Sequence, residues 1–69
     1  MRIIIENTEQ QKYLGNDGNW SANLSAARDF RSELRALDAV RQRDEPGLRV
    51  MYYFEELHYR IGARSRAHQ

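Results

Sequence analysis

The spacing of hydrophobic and polar positions predicts two short strands in the first third of the chain. Residues 2–6 read Arg-Ile-Ile-Ile-Glu, and a run of β-branched side chains favours a strand. Polar residues 7–10 predict a turn that leads into a second strand at 12–14. Residues 15–19, Gly-Asn-Asp-Gly-Asn, contain the favoured turn pair Asp-Gly. Trp20 follows directly, and we expect it to fold back over the edge of the core.

The hydrophobic period then changes to that of a helix. Apolar residues recur at spacings of three and four, on one face of a predicted helix: Ala27, Phe30, Leu34, Leu37 and Val40. Ser25 is the expected N-cap, and Pro46-Gly47 ends the segment. The pattern therefore predicts one helix over about residues 25–43.

Residues 48–54 predict the last strand. They read Leu-Arg-Val-Met-Tyr-Tyr-Phe, and valine, tyrosine and phenylalanine favour extended backbone. Side chains alternate between the faces of a strand, so Met51 and Tyr53 would lie on the face opposite Val50. Large apolar groups are thus expected on both faces of this element.

Together these elements predict an α+β fold with the order β-β-α-β. The last strand would pair with the first, which gives a sheet of order 2-1-3 with one helix packed on one face. The alternative is ββαα, because the apolar residues from Val50 to Ile61 also fit a helical stripe. Residues 1–62 are expected to form one small domain, followed by a flexible basic tail at 63–69.

The predicted sheet leaves an apolar face that the helix does not cover. Its exposed row would comprise Ile4 (or Ile3 and Ile5), Met51 and Tyr53. Trp20 would lie at its margin. Exposed apolar surface of this kind usually marks an interface, and tyrosine, methionine and arginine are enriched at interfaces. We therefore predict a non-enzymatic protein-binding module that acts through its sheet face or edge, as a homodimer or docked on a larger complex.

The arginine content suggests a second class of partner, nucleic acid. The formal net charge of the 69 residues is +1, so no global field attracts nucleic acid. Arginine nevertheless supplies ten of the eleven basic residues, and guanidinium groups favour bidentate contacts. Five of them are candidate contacts for nucleic acid or an acidic partner: Arg28, Arg31 and Arg35 on the predicted helix, with Arg60 and Arg64 near the C-terminus. A small nucleic-acid-binding regulator is therefore the alternative function.

Other chemistry has little support in the sequence. The chain has no cysteine, and the single Glu55-x-x-His58 spacing lacks the further ligands of a di-metal site. The turn at 15–19 lacks the spacing of a calcium loop or a phosphate loop. We expect no catalytic residue, metal, cofactor or small-molecule substrate. The short apolar run after Arg2 is neither a signal peptide nor a membrane span, which predicts a cytoplasmic protein.

Several residues resemble a loose pattern in small bacterial and phage proteins, in which a "YL…DG.W" hairpin precedes an "AR.F" helix. The matching positions are Tyr13-Leu14, Asp17-Gly18, Trp20, Ala27-Arg28, Phe30 and the strand 50–54. The group has no common activity, so the resemblance implies a fold and assigns no functional residue. A phage-encoded inhibitor of a host complex, such as an anti-CRISPR protein, is one function that the size and the resemblance permit.

Overall fold

The computed structural model describes residues 1–54 and 59–62 of the chain. Within these ranges it contains one α-helix and five strands. The strands are β1 (Arg2–Asn7), β2 (Lys12–Leu14), β3 (Trp20–Ser21), β4 (Leu48–Phe54) and β5 (Tyr59–Gly62), and the helix is α1 (Glu33–Arg43). A short 3-10 turn, Leu24–Ala26, lies between β3 and α1.

All five strands form one antiparallel sheet with the order β3-β2-β1-β4-β5. The central pair, β1 with β4, is in register from Arg2 opposite Tyr53 to Asn7 opposite Leu48. The predicted α+β class with one helix is confirmed, and 48–54 is a strand rather than a helix. The predicted three-stranded order 2-1-3 is wrong in count and extent, because β3 extends the sheet beyond β2 and β5 extends it beyond β4.

The helix begins later than its period predicted. Its N-cap is Ser32, whose hydroxyl accepts a hydrogen bond from the Arg35 N–H at 3.4 Å. Ser25, the expected cap, lies in the 3-10 turn, where both its N–H and its hydroxyl donate to Asn23 Oδ1. Arg31 adopts a positive φ of 64°, and this left-handed residue separates the extended chain from the helix. The predicted start at residue 25 is therefore wrong.

The buried face of α1 also differs from the predicted stripe. Ala36 is fully buried, with Leu37 and Val40 half-buried beside it. Leu34 points to solvent and is 74% exposed, so its assignment to the core face is wrong. The helix ends at Asp44, which adopts a left-handed φ of 50° and donates its N–H to the Val40 carbonyl.

Apolar side chains form a core on each face of the sheet. The helix-side core contains Ile3, Ile5, Leu14, Phe30, Ala36 and Val50. The second core contains Ile4, Tyr13, Ala27 and Met51, with Leu24 and Tyr53 packed against it. Because Leu24 and Ala27 belong to the chain between β3 and α1, we call this cluster the loop-side core. None of the helices in the described ranges is long and apolar enough to cross a membrane.

Candidate functional site

The sheet face that was predicted to be exposed is covered. Ile4 is 0% exposed and Met51 is 8% exposed, because Leu24 and Ala27 pack over them in the loop-side core. The prediction that Ile4 and Met51 present an open apolar surface is therefore wrong. Tyr53 is half-buried at the margin of the same cluster. The hydrophobic period assigned Ala27 to the helix, so the sequence pattern gave no sign that this segment covers the opposite face of the sheet.

Trp20 is held within the molecule by contacts on two sides. It lies in β3, is half-buried, and packs against the helix-side core. The Arg43 guanidinium lies 5.2 Å from the centre of the indole ring, a cation–π distance. Arg43 also donates to the Gly18 carbonyl at 3.4 Å, which joins the end of α1 to the preceding turn. Trp20 thus lies at the edge of the core, as the sequence suggested, with its ring engaged by the helix.

The two edges of the sheet differ in length. Strand β3 closes one edge with only two residues, whereas β5 presents four. Among the described strands β5 pairs with β4 alone, so its outer backbone groups have no strand partner there. Ile61 lies on this edge opposite Tyr52 and is 43% exposed. An unpaired edge of this kind is a template for a further strand.

The two faces of β5 carry different groups. On the helix side, Ile61 neighbours Tyr52, whose hydroxyl donates to Glu33 Oε1 at 2.5 Å. This hydrogen bond, together with partial burial and the Glu33 charge, raises the pKa of Tyr52. On the loop side, the Arg49 guanidinium lies against Gly62, where a Cβ would otherwise project. Ile61 was placed from the sequence only at the end of an alternative helical stripe, whereas it lies in strand β5.

Three of the candidate arginines line one open groove. Arg28, Arg31 and Arg35 lie around a recess of about 580 Å³ between the start of α1 and the chain that precedes it. Arg28 and Arg31 are in extended or left-handed backbone, so the predicted helical stripe is wrong as geometry even though the three residues converge. We call this recess the arginine groove. The side chain of Arg60, Arg64 and the predicted tail at 63–69 lie outside the described residues, as does the Glu55/His58 pair.

One carboxylate organises the backbone of this groove. Asp29 Oδ1 accepts hydrogen bonds from the Ile3 N–H at 3.1 Å and the Arg31 N–H at 2.9 Å. Burial alone would raise the pKa of Asp29, but these two N–H donors and the charges of Arg2 and Arg31 together lower it. This role of Asp29 was not predicted from the sequence. An aspartate two residues before a left-handed position is the signal that could have indicated it.

Aromatic and amide groups complete the arginine groove. The Arg28 guanidinium lies 4.8 Å from the centre of the Phe30 ring, and this contact fixes its direction. Asp38 and Gln42 line the part of the groove that follows the helix. The described ranges contain no group of three or more side chains suited to hold a metal ion.

Neither the β5 edge nor the arginine groove is supported by similarity to characterised proteins. The resemblance to small bacterial and phage proteins stays an expectation. No family model matches the chain, and comparison with curated proteins and with solved structures gives no significant match.

Proposed function

We propose that this protein is a non-enzymatic protein-binding module that acts through the β5 edge of its sheet, and that its partner there is a second copy of the chain. The observation that carries the proposal is the outer side of β5, which has no strand partner among the described residues and along which Ile61 is exposed. The sheet face itself is covered, so the edge is the part of the original prediction that the geometry supports.

The residue order of β5 suits pairing with itself. Two copies related by a two-fold axis perpendicular to the sheet would pair β5 antiparallel to β5, which continues both sheets. Directly opposite residues share a face, so either Arg60 or Ile61 lies opposite its own copy. The first register brings like charges together. The second places Ile61 against Ile61, where both copies can bury the exposed part of this side chain.

A four-residue edge supports a weak, concentration-dependent dimer. Each favourable cross-strand pair contributes about 0.2–1 kcal/mol, and association must also offset the lost freedom of the two molecules. The exposed part of Ile61 would be buried against its copy in the register described above. Because both copies contribute this residue, one substitution at Ile61 changes two facing side chains at the two-fold axis.

The test compares two apolar-to-aspartate substitutions at exposed positions. Ile61→Asp would place two carboxylates opposite each other at the two-fold axis and should weaken dimerisation by at least about tenfold. Leu34→Asp changes a more exposed residue that belongs to α1 and not to the β5 edge, and should dimerise as the wild type does. Sedimentation equilibrium over a range of protein concentrations measures the dimer dissociation constants of the two variants and of the wild type.

Either of two results would overturn the proposal. One is a wild-type chain that stays monomeric at concentrations up to about 1 mM, because a dissociation constant above that value is too weak for the proposed dimer. The other is an equal loss of association in both variants, which would place the contact away from β5. Circular dichroism of each variant confirms that the helix and sheet persist.

A further inference from the structure

The arginine groove lies outside the proposed dimer contact, and its backbone is fixed to the sheet. The Arg28 N–H donates to the Leu14 carbonyl and the Phe30 N–H to the Ile3 carbonyl, both at 2.8 Å. Residues 28–30 are thereby attached to β2 and β1 before the helix begins. Arginines on a fixed backbone lose less freedom when they bind a ligand than arginines on a loose loop.

The groove has an excess of positive charge that its own acids do not neutralise. Arg28, Arg31 and Arg35 line it together with Asp29 and Asp38. Asp29 is occupied by backbone N–H groups, and Asp38 is paired with Arg41 at 3.2 Å. The three lining arginines carry three positive charges against these two carboxylates, which leaves an excess of one. Within the described residues, the Arg35 guanidinium makes no hydrogen bond or ion pair.

The groove is also elongated. Arg35, Asp38 and Gln42 follow one face of α1 at helical spacing, and all three line the recess. Seven residues of helix between Arg35 and Gln42 span about 10 Å. The groove therefore has a basic end near the start of α1 and an end with amide and carboxylate groups further along the helix.

We infer that the arginine groove binds the phosphate of a nucleotide, supplied by single-stranded nucleic acid or by a free mononucleotide. Guanidinium groups match phosphate oxygens in a bidentate fork, and three of them line this recess while Asp29 Oδ1 and Asp38 Oδ1 are already engaged by other donors. The volume of about 580 Å³ exceeds the needs of a bare anion and lies within the usual range for small-ligand sites. The sugar and base would extend along α1 toward Gln42, whose amide can bond to a base edge.

A duplex is a poorer fit than a single strand. Duplex binders spread their cations along a surface that follows two phosphate backbones, whereas these arginines converge on one recess. Single-strand binders combine a basic groove with contacts to splayed bases, which is the arrangement proposed here.

The test uses a fluorescein-labelled oligothymidylate and two matched arginine-to-alanine variants at low salt. Arg35→Ala removes a groove guanidinium and should weaken binding, measured by fluorescence anisotropy, by at least about tenfold. Arg49→Ala removes the same charge from the opposite face of the sheet and should bind as the wild type does. The slope of log K against log salt should fall by about 0.7 in Arg35→Ala for the phosphate contact that is lost.

Competition distinguishes the sources of the phosphate. If thymidine monophosphate displaces the labelled oligothymidylate when both are compared at equal concentrations of nucleotide, the site binds a mononucleotide. If the oligothymidylate stays bound, the site binds the single strand. Stronger displacement by a phosphoserine peptide than by either nucleotide probe would overturn the inference. So would absence of oligothymidylate binding at low salt, or an equal loss in both variants. None of these results depends on whether the chain dimerises through β5.

Discussion

At the scale of single residues, Asp29 connects two separate parts of the backbone. Its carboxylate joins β1 to the segment before α1 and supports the left-handed backbone of Arg31. A non-glycine residue at positive φ is costly by itself, and local hydrogen bonds are what hold it there. The shape of the arginine groove therefore depends on one acid that does not itself need to touch a ligand.

Replacing Asp29 should lower stability in a way that depends on pH. Asp29→Ala leaves two backbone N–H groups without their acceptor and should cost about 1–2 kcal/mol in the free energy of unfolding at neutral pH. Asp29→Asn keeps an acceptor oxygen without the charge and should cost less. Urea unfolding of the three proteins measures these differences.

The pH dependence follows from the lowered pKa of Asp29, whose ordinary value is 3.8. A carboxylate with a depressed pKa in the folded state stabilises the fold above its unfolded pKa, and this contribution is lost as the pH falls through the folded value. The advantage of the wild type over Asp29→Asn should therefore be complete at neutral pH and decline as the pH falls below the ordinary value of 3.8 toward the lowered pKa of the folded state. An advantage that stays constant with pH would contradict a role for the charge.

At the scale of elements, the start of α1 is the clearest difference between sequence and structure. Ala27 and Phe30 fit the helical period and are buried, but they are buried in different cores by an extended chain. Leu34 fits the same period and is exposed. A hydrophobic repeat of three or four residues indicates which residues are buried, but it does not specify the backbone conformation between them. Local capping by Asn23 and Ser32 decided where the helix begins.

Two serine-to-alanine substitutions distinguish the predicted helix start from the observed one. Ser32→Ala removes the N-cap of α1 and should lower the free energy of unfolding by about 0.5–1 kcal/mol, toward the low end of capping effects because the bond is long. Ser25→Ala affects only an exposed turn and should change stability by less than about 0.5 kcal/mol. Urea unfolding compares the two, and a larger loss from Ser25→Ala would support the helix start at residue 25.

The strands were more predictable than the helix. Residues 2–6 and 48–54 are rich in β-branched and aromatic side chains, and they form the central pair of the sheet, from Arg2 opposite Tyr53 to Glu6 opposite Arg49. Strands β3 and β5 are shorter and are specified by their neighbours rather than by composition. The two candidate binding surfaces differ in the same way. Arginine clustering was visible in the sequence, whereas the edge at Ile61 required the register of β5 on β4.

At the scale of the whole molecule, the sheet is a middle layer with a core on each side. The chain between β3 and α1 passes from the loop side, where Ala27 is buried, to the helix side, where Phe30 is buried. A small protein that was expected to leave one face open thus covers most of both with a single helix and an irregular segment. Among the described residues, the β5 edge and the arginine groove are the two surfaces on which the binding proposals rest.

Three isoleucine-to-valine substitutions test this two-sided core. Ile4 on the loop side and Ile5 on the helix side are both fully buried, so Ile4→Val and Ile5→Val should each cost about 0.5–1.5 kcal/mol in the free energy of unfolding. Ile61→Val, at an exposed edge position, should change it by less than about 0.5 kcal/mol. Urea unfolding at a concentration where the chain is monomeric separates folding from association. Truncation of a side chain lowers the stability of the monomer only where that side chain is buried within one molecule. If Ile4→Val behaves like Ile61→Val while Ile5→Val is destabilising, the loop side is therefore not a core.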